Sequence, residues 1–167
     1  MKRKAVKPVK ISTKGRYGLR MMIDIAMNQN EGPVSVRDIA RRQSLSDKYL
    51  EQIITQANKA GLLKSIRGAG GGYQLSRLAK DISVGEILRA MEGSLSPVEC
   101  VRELGEDSAP CRNAGECATY ELWRDIKTAV DQVIDNRSLQ DMIDNYTRKN
   151  RDDASLGKEG NCRWSAK

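Results

Sequence analysis

Apolar residues recur at steps of three and four along the first part of the chain, which is the spacing of helices that bury one face. The pattern predicts one helix over residues 12–29. A second, short helix is expected to open at Val34, with Ser35 as a good N-cap, and a third runs from the N-cap Ser46 to Gly61. Two short helices joined by a few residues are typical of a helix-turn-helix.

Strand-like alternation replaces the helical spacing in the next segment. Residues 62–66 (LLKSI) and 73–75 (YQL) alternate like paired strands, and RGAGGG at 67–72 is the turn between them. This pattern predicts a hairpin wing, in which Arg67 can enter a DNA groove while Gly68 and the glycines after it let the backbone approach phosphate. A nucleotide-binding loop is disfavoured because the glycines join two strands and no GxxxxGK[ST] pattern is present.

Charge is distributed unevenly along the chain. The net charge is +7, but residues 1–80 carry 17 Lys and Arg against 5 Asp and Glu, a net of +12, whereas residues 81–167 carry 12 against 17, a net of −5. Because neutralisation of phosphates supplies much of the affinity for nucleic acid, a basic half indicates DNA binding. A membrane surface or an acidic partner is the alternative.

Three cysteines, Cys100, Cys111 and Cys117, lie in a polar segment that offers no apolar core to pack against. Thiolates are the ligands that soft metals and iron-sulfur clusters prefer. A structural zinc ion and reduced, unliganded thiols are the alternatives. The chain contains no histidine, so zinc sites of the Cys3His and Cys2His2 types are excluded. A fourth ligand would come from Cys162, a carboxylate, Tyr120, a hydroxyl, an exogenous thiol or another subunit.

Other classes of protein find little support. There is no apolar run of about 20 residues and no apolar segment after the basic start, so neither a membrane span nor a secretory signal is expected. We therefore expect a cytoplasmic protein, in which thiols stay reduced. Without histidine, and without a nucleophile beside an evident base, the chain is not expected to be an enzyme.

Four blocks of sequence resemble the IscR-type family of bacterial winged helix-turn-helix regulators. They are ISTKGRYGLR (11–20), LSDKYLEQII (45–54), SIRGAGGGYQL (65–75) and ISVGEILRAMEG (82–93). The resemblance covers roughly residues 10–146. It implies a mainly α fold with a small β-hairpin, in which a winged helix-turn-helix domain is joined to a long dimerisation helix, and a homodimer that binds a palindromic DNA operator.

The resemblance also divides the chain and places its DNA contacts. The expected parts are a basic flexible arm (1–10), the winged helix-turn-helix domain (11–80), a linking helix with the cysteine loop (81–117), the dimerisation and C-terminal helices (118–147) and a disordered tail (148–167). The family's base-reading and backbone-contacting positions correspond to Ser46, Lys48, Tyr49, Gln52 and Arg67. The part of its first helix that approaches phosphate corresponds to Lys14, Arg16 and Tyr17. A position that discriminates among DNA sites in the family corresponds to Glu51. The alternative is that Tyr49 is a half-buried packing residue and that Lys14 and Arg16 are solvated charges.

The resemblance further implies a cluster and a dimer interface. The family's three cluster-binding cysteines map onto Cys100, Cys111 and Cys117, and Tyr120 occupies the place of the histidine that serves cluster-assembly regulators as fourth ligand. A 2Fe-2S centre is the first candidate and 4Fe-4S the second. The dimer helix is expected over residues 118–136, with an apolar stripe of Trp123, Ile126, Val130, Val133 and Ile134.

We therefore expect a dimeric regulator that senses an iron-sulfur cluster and governs cluster biogenesis. Within the family, the alternatives are a sensor of nitric oxide, iron or redox state, and a cluster-free regulator of cysteine metabolism that acts through a partner enzyme. The block EGSLSPVE (92–99) echoes the latter. A cluster donor would be a further partner of a cluster-binding form. From a different class, the alternative is a small iron-sulfur redox protein without a DNA role.

Overall fold

The computed structural model of the chain describes residues 11–102, 111 and 113–155. Over these residues the protein is mainly helical with one antiparallel hairpin, as predicted. The helices are α1 (Thr13–Asn28), α2 (Val36–Gln43), α3 (Asp47–Lys59), α4 (Val84–Glu92), α5 (Tyr120–Asp135) and α6 (Leu139–Ser155); the strands are β1 (Leu63–Ile66) and β2 (Gly72–Leu75). Short 3-10 turns occupy Gln29–Glu31, Ala79–Asp81 and Glu99–Val101.

Serine hydroxyls define where the helices begin. In each of the first three helices the N-cap hydroxyl accepts a hydrogen bond from the backbone N–H three residues later, which satisfies one of the donors that a helix start leaves unpaired. The pairs are Ser12 with Gly15 (3.2 Å), Ser35 with Asp38 (3.1 Å) and Ser46 with Tyr49 (3.3 Å). Ser83 and Glu86 form a reciprocal capping box at the start of α4.

Val34 does not open the second helix, contrary to the sequence prediction. Its N–H donates to the carbonyl of Tyr73, and its own carbonyl accepts from the N–H of Tyr73, both at 2.9 Å. Val34 thus adds a short bridge to the edge of the hairpin, and α2 begins only after Ser35. The exchange of two backbone hydrogen bonds with β2 outweighs the weak helical tendency of a single β-branched residue.

The core lies between α1, α2, α3, α4 and the hairpin. Its largest completely buried side chains are Met21, Met22, Ile25, Ile39, Leu50, Ile53, Ile54, Leu62, Ile82, Ile87, Met91 and Leu139. Because α1 supplies three of these residues and packs extensively against α4, the helix-turn-helix and the linking helix form one packed unit. Leu139 brings the start of α6 into the same core.

The C-terminal helix is longer than the sequence prediction. The helix α6 extends to Ser155, eight residues past the boundary expected at residue 147. Ser138 caps its start: the hydroxyl accepts from the N–H of Asp141 at 3.1 Å, and the Asp141 carboxylate accepts from the N–H of Ser138 at 2.8 Å. The predicted arm (1–10) and the later part of the predicted tail (156–167), which contains Cys162, lie outside the described residues. The domain boundaries as a whole stay predictions.

None of the helices within residues 11–102 and 113–155 combines the length and apolarity that crossing a membrane requires.

Candidate nucleic-acid interface and cysteine segment

The helix α3 presents a polar face to solvent. Lys48, Glu51 and Gln52 are all exposed. Glu51 and Gln52 lie about one turn after Lys48, and the opposite face of the helix is buried in the core. Thr55 continues this exposed face by one more turn and was missed by the sequence analysis, although its spacing from Glu51 and Gln52 is the signal that identifies it. An exposed polar helix face of this kind fits the major groove of DNA.

Tyr49 belongs partly to this face and partly to the packing beneath it. Its ring is half-buried and meets the ring of Tyr17 edge-on, with centroids 6.0 Å apart and an interplanar angle of 86°. Burial, followed by the neighbouring Tyr17, raises the pKa of the Tyr49 hydroxyl. Two residues expected at the DNA are therefore packed against each other, which holds α1 and α3 in a fixed relation.

A series of contacts between polar side chains extends this packing into the core. The guanidinium of Arg20 lies 5.1 Å from the centre of the Tyr17 ring, and its Nε donates to Gln43 Oε1 at 3.1 Å. Gln43 in turn donates to the buried carboxylate of Asp24 at 2.8 Å, which also accepts two-pronged hydrogen bonds from Arg42 at 2.6–3.1 Å. The sequence signal for this network is an aspartate inside the apolar run MMIDIA, because a buried carboxylate needs partners.

The wing is a tight hairpin whose tip is exposed. β1 and β2 pair from Leu63 with Leu75 to Ile66 with Gly72. Arg67 and Gly68 follow at the tip and are both exposed, and Gly68 has a φ of 117°, which only glycine adopts readily. A side chain at Gly71 would lie 2.5 Å from the carbonyl oxygen of Ile66, so this turn also requires glycine.

At the start of α1, Arg16 is exposed and Lys14 and Tyr17 are half-buried. The structure thus places the ten predicted DNA-binding residues in three groups: the first turn and a half of α1, the N-terminal half of α3 with its cap, and the wing tip. Their roles in DNA binding stay predictions.

The cysteine segment begins with two thiols that interact. Cys100 lies in the short turn that follows α4, and Cys111 is described beyond it; both are half-buried free thiols. Burial is the main cause that raises the pKa of Cys100, and the charge of Cys111, the charge of Cys117 and a hydrogen bond with the Cys111 thiol raise it further. Two neighbouring thiols of this kind are suited to share a cation, because a cation relieves their mutual repulsion when they ionise.

Cys117 has a different environment just before α5. Its thiol is exposed and lies 3.5 Å from the hydroxyl oxygen of Thr119. Hydrogen bonds from the Thr119 hydroxyl, and then from the backbone of Thr119 and Tyr120, lower the pKa of Cys117. The thiolate of Cys117 is therefore favoured by groups at the start of α5.

The donor set suits a soft metal, but the described thiols do not converge on one point. Within residues 11–102, 111 and 113–155, no group of three His, Cys, Asp or Glu side chains is placed to hold a metal ion. The charges of both Cys111 and Cys117 act on Cys100, and the Cys117 thiol also contacts the Thr119 hydroxyl. Among the fourth ligands considered, Tyr120 is the first residue of α5 and Cys162 lies outside the described residues.

An ionic clamp joins α4 to the helix that follows the cysteine segment. Arg89 donates to Asp131 at 2.6 Å and to both carboxylate oxygens of Asp135 at 2.6 and 2.9 Å. Lys127 adds a 2.6 Å contact to Asp131. The Asp135 and Asp131 hydrogen bonds outweigh burial and raise the pKa of Arg89. The helices approach closely here because a side chain at Gly85 would collide with Asp135.

The other side of α5 is apolar and uncovered. No residue of this helix is buried, and Leu122 and Val133 are 55% and 64% exposed. Ile126 and Ala129 lie between them on the same helical face. Leu122 was missed in the predicted stripe. Of the predicted residues, Ile134 packs instead against Val84, Leu88 and Leu95.

The chain has a helix-turn-helix with a polar, exposed recognition face. A glycine-rich hairpin with an arginine at its tip follows, and both lie in the basic half of the chain. These features together define a winged-helix DNA-binding regulator. Residues 11–145 match the Rrf2 family, described as "Iron-dependent Transcriptional regulator". The chain belongs to this family, and it is a transcriptional regulator rather than an enzyme.

Relatives and solved structures agree with this assignment. The chain is 46% identical to the transcriptional regulator CymR of Bacillus subtilis over 139 residues, which cover 83% of this chain and 92% of that protein. It is 34% identical to IscR of Pectobacterium carotovorum over 158 residues, 93% of each. The structure of B. subtilis CymR, titled "the Global Cysteine Regulator", matches 81% of this chain and 96% of its own with a TM-score of 0.65. "T. potens IscR" matches 82% and 88% at 42% identity with a TM-score of 0.64. The resemblance to IscR-type regulators and the winged-helix fold are confirmed.

Proposed function

We propose that the chain is a homodimeric regulator that binds a palindromic operator and senses an iron-sulfur cluster held by Cys100, Cys111 and Cys117, most directly to control cluster biogenesis. The observation that carries this proposal is the presence of three free thiols, Cys100, Cys111 and Cys117, in the segment that links α4 to α5. Free thiols need a reducing compartment, so we place the protein in the cytoplasm.

DNA binding is assigned to the three groups of residues described above. Lys48 and Gln52 would read base edges in the major groove, and Glu51 would accept from a cytosine amino group and disfavour other bases. The remaining contacts are Ser46 and Tyr49 at the start of α3, Arg67 and Gly68 at the wing, and Lys14, Arg16 and Tyr17 at the start of α1.

The uncovered face of α5 is assigned to the dimer interface. Leu122, Ile126 and Val133 would pack against the same face of a second copy, because an exposed apolar stripe on one helix is best buried by a self-complementary contact about a two-fold axis. A two-fold dimer presents two copies of α3, which matches a palindromic operator.

The cysteine segment supplies the sensor. Three thiols, with an oxygen from Thr119 or Tyr120 or an exogenous ligand, would hold a 2Fe-2S centre, with 4Fe-4S as the alternative. The occupancy of the three thiols by a cluster would depend on the supply of iron and on oxidants. The chain itself provides the connection: Cys117 precedes α5, and Arg89 ties α5 to α4 in the DNA-binding unit. A change in the cysteine segment would therefore reach both the dimer helix and the DNA-binding unit.

Iron and sulfide analysis tests the sensor. Protein purified without oxygen is expected to show visible charge-transfer absorption and matching iron and sulfide, and the Cys100→Ala/Cys111→Ala/Cys117→Ala variant is expected to lose both. Cys162→Ala is the matched control and should keep them. Colourless, iron-free wild-type protein from cells that make clusters would overturn the sensor while leaving the DNA-binding assignment intact.

A salt-titrated mobility shift tests the DNA interface. Lys48→Ala is expected to weaken operator binding at least several-fold and to relax the preference for the base that Lys48 contacts, whereas Lys59→Ala, at the far end of the same helix, should do neither. Unchanged binding by Lys48→Ala would contradict the placement of α3 in the groove.

A cluster-free regulator of cysteine metabolism is the second candidate. It is supported by the 46% identity to CymR and by EGSLSPVE at 92–99. Such a protein would act through a partner enzyme, whereas a cluster-bound form would need a cluster donor. Sensing of nitric oxide, iron or redox state would use the same thiols. The redox-protein alternative is disfavoured by membership of a family of transcriptional regulators.

A further inference from the structure

The last residue of α4 closes the N-terminus of α1. Glu92 Oε1 accepts three hydrogen bonds: from the backbone N–H of Ser12 at 3.0 Å, from the Ser12 hydroxyl at 2.6 Å and from the backbone N–H of Gly15 at 3.1 Å. A carboxylate at this position is doubly favoured, because the bonds are charge-assisted and the helix start carries partial positive charge. The contact joins residues that are 80 positions apart in the chain.

Two glycines of α1 allow this close approach. A side chain at Gly15 would collide with the Glu92 carboxylate, and one at Gly18 would lie 2.6 Å from Cγ of Met91. The first turn and a half of α1 is therefore pressed against the end of α4. The backbone N–H groups of Ser12 and Gly15 and the Ser12 hydroxyl all bind the Glu92 carboxylate. Together these contacts fix the position of this part of α1 relative to α4.

Lys14 and Arg16 belong to the same turn of α1. Lys14 lies between Ser12 and Gly15, the two residues that bind Glu92, and Arg16 follows Gly15. We propose that Glu92 is a positioning residue for DNA binding: by fixing the first turn of α1, it aims Lys14 and Arg16 at backbone phosphates. This inference rests on the proposed function, specifically on the placement of Lys14 and Arg16 at phosphate. Glu92 itself does not contact DNA in this scheme.

The sign of the effect separates this role from simple electrostatics. A carboxylate near DNA repels phosphate, so loss of its charge would by itself strengthen binding. Loss of positioning would weaken binding, because Lys14 and Arg16 would no longer release counterions from fixed phosphate contacts. A purely structural role would lower stability but leave both the affinity and the salt slope of the folded protein unchanged.

The experiment measures DNA affinity against salt for the full-length chain. Glu92→Gln is expected to bind the operator about 3- to 10-fold more weakly near 0.15 M salt, and its slope of log affinity against log salt should fall by about 1 to 2, which corresponds to partial loss of the phosphate contacts that Lys14 and Arg16 make in the two protomers. Glu86→Gln is the matched control: it removes a capping carboxylate from the first turn of the same helix, where its partners are Ser83 and Arg77, and should leave the slope unchanged.

Two further variants make the test decisive. Gly15→Ala keeps the charge of Glu92 but displaces its carboxylate, so it should reproduce the loss of slope even where Glu92→Gln folds poorly. In a Lys14→Ala/Arg16→Ala background, Glu92→Gln should cause no further loss of affinity. Unchanged or tighter binding by Glu92→Gln, or an additive effect in that background, would overturn the inference. Absence of salt-dependent DNA binding by wild-type protein would instead overturn the proposed function.

Discussion

The winged-helix unit and the helix α5 are held in place by different forces. The unit from α1 to α4 encloses a continuous core whose largest side chains have no exposed surface. Helix α5 has no buried residue, exposes Leu122 and Val133, and is tied to α4 through Arg89. The first region, together with Leu139 at the start of α6, therefore has a closed apolar core, whereas α5 needs something to cover its apolar face.

The magnitudes explain why this difference matters. Burying one large aliphatic side chain contributes about 1.5–3 kcal/mol, and the winged-helix unit buries many. The ion pairs of Arg89 are a fifth to nearly half exposed, so each contributes only about 1 kcal/mol or less. A region attached in this way can move relative to the core at modest cost, which suits a helix that links a sensing segment to a DNA-binding unit.

The largest expected effect comes from the core. Leu50→Ala removes a completely buried side chain of α3 and should lower the free energy of unfolding by about 2–5 kcal/mol, measured by urea denaturation. Leu122→Ala makes the same chemical change on α5 and should cost the monomer less than about 0.5 kcal/mol at protein concentrations below the dimer dissociation constant. Equal losses in the two variants would abolish the distinction between the regions.

The next effect concerns the apolar face of α5. Val133→Lys places a charge in the proposed interface and should weaken dimerisation about 100-fold, measured by sedimentation velocity over a range of concentrations. Thr128→Lys adds the same charge on another side of the helix and should leave the dimer intact. Equal dimerisation by the two variants would place the interface elsewhere.

A smaller effect is expected at the clamp. Arg89→Met should weaken the attachment of α5 by about 1–2 kcal/mol, seen as faster amide hydrogen exchange in α5. Arg77→Met removes an exposed ion pair with Glu86 at the start of α4 and should leave exchange in α5 unchanged. If the amide hydrogens of α5 exchanged no faster in Arg89→Met, the attachment of α5 would depend instead on Ile134 and the apolar residues around it.

The clamp should also respond to acid. Burial raises the pKa of Asp131, but contacts with Lys127 and Arg89 outweigh it, so the folded pKa lies below that of an unfolded aspartate. The stabilisation is thus complete above the unfolded pKa of about 4 and is lost as pH falls through the lower folded pKa. Amide protection in α5 should decrease over this acidic range, and Asp131→Asn should reduce the dependence on pH.

The smallest effects compare two N-caps inside the winged-helix unit. Ser35→Ala and Ser46→Ala should each cost about 1 kcal/mol of stability, because each leaves a helix-start N–H without its acceptor. Only Ser46→Ala, at the start of the recognition helix, should also weaken operator binding in a mobility shift. A matching loss of DNA affinity in Ser35→Ala would mean that the caps act through stability alone.

Elements with strong local signals were predicted well. The caps Ser35 and Ser46, the spacing of buried residues in α3, and the glycine-rich turn all depend on neighbours within a few positions. Val34 was assigned wrongly because its partner, Tyr73, is far away in sequence. The extension of α6 to Ser155 was missed because that segment is polar throughout and lacks an apolar period.

The chain's own sequence determined its family, its helix starts, its wing and the residue types available for DNA and metal. Only the tertiary structure decided which distant residues meet, such as Glu92 with Ser12 and Arg89 with Asp131. The reason is physical. Caps and periodicity are set by bonds spanning three or four residues, whereas these contacts exist because packing of the core brings α4 against α1 and α5.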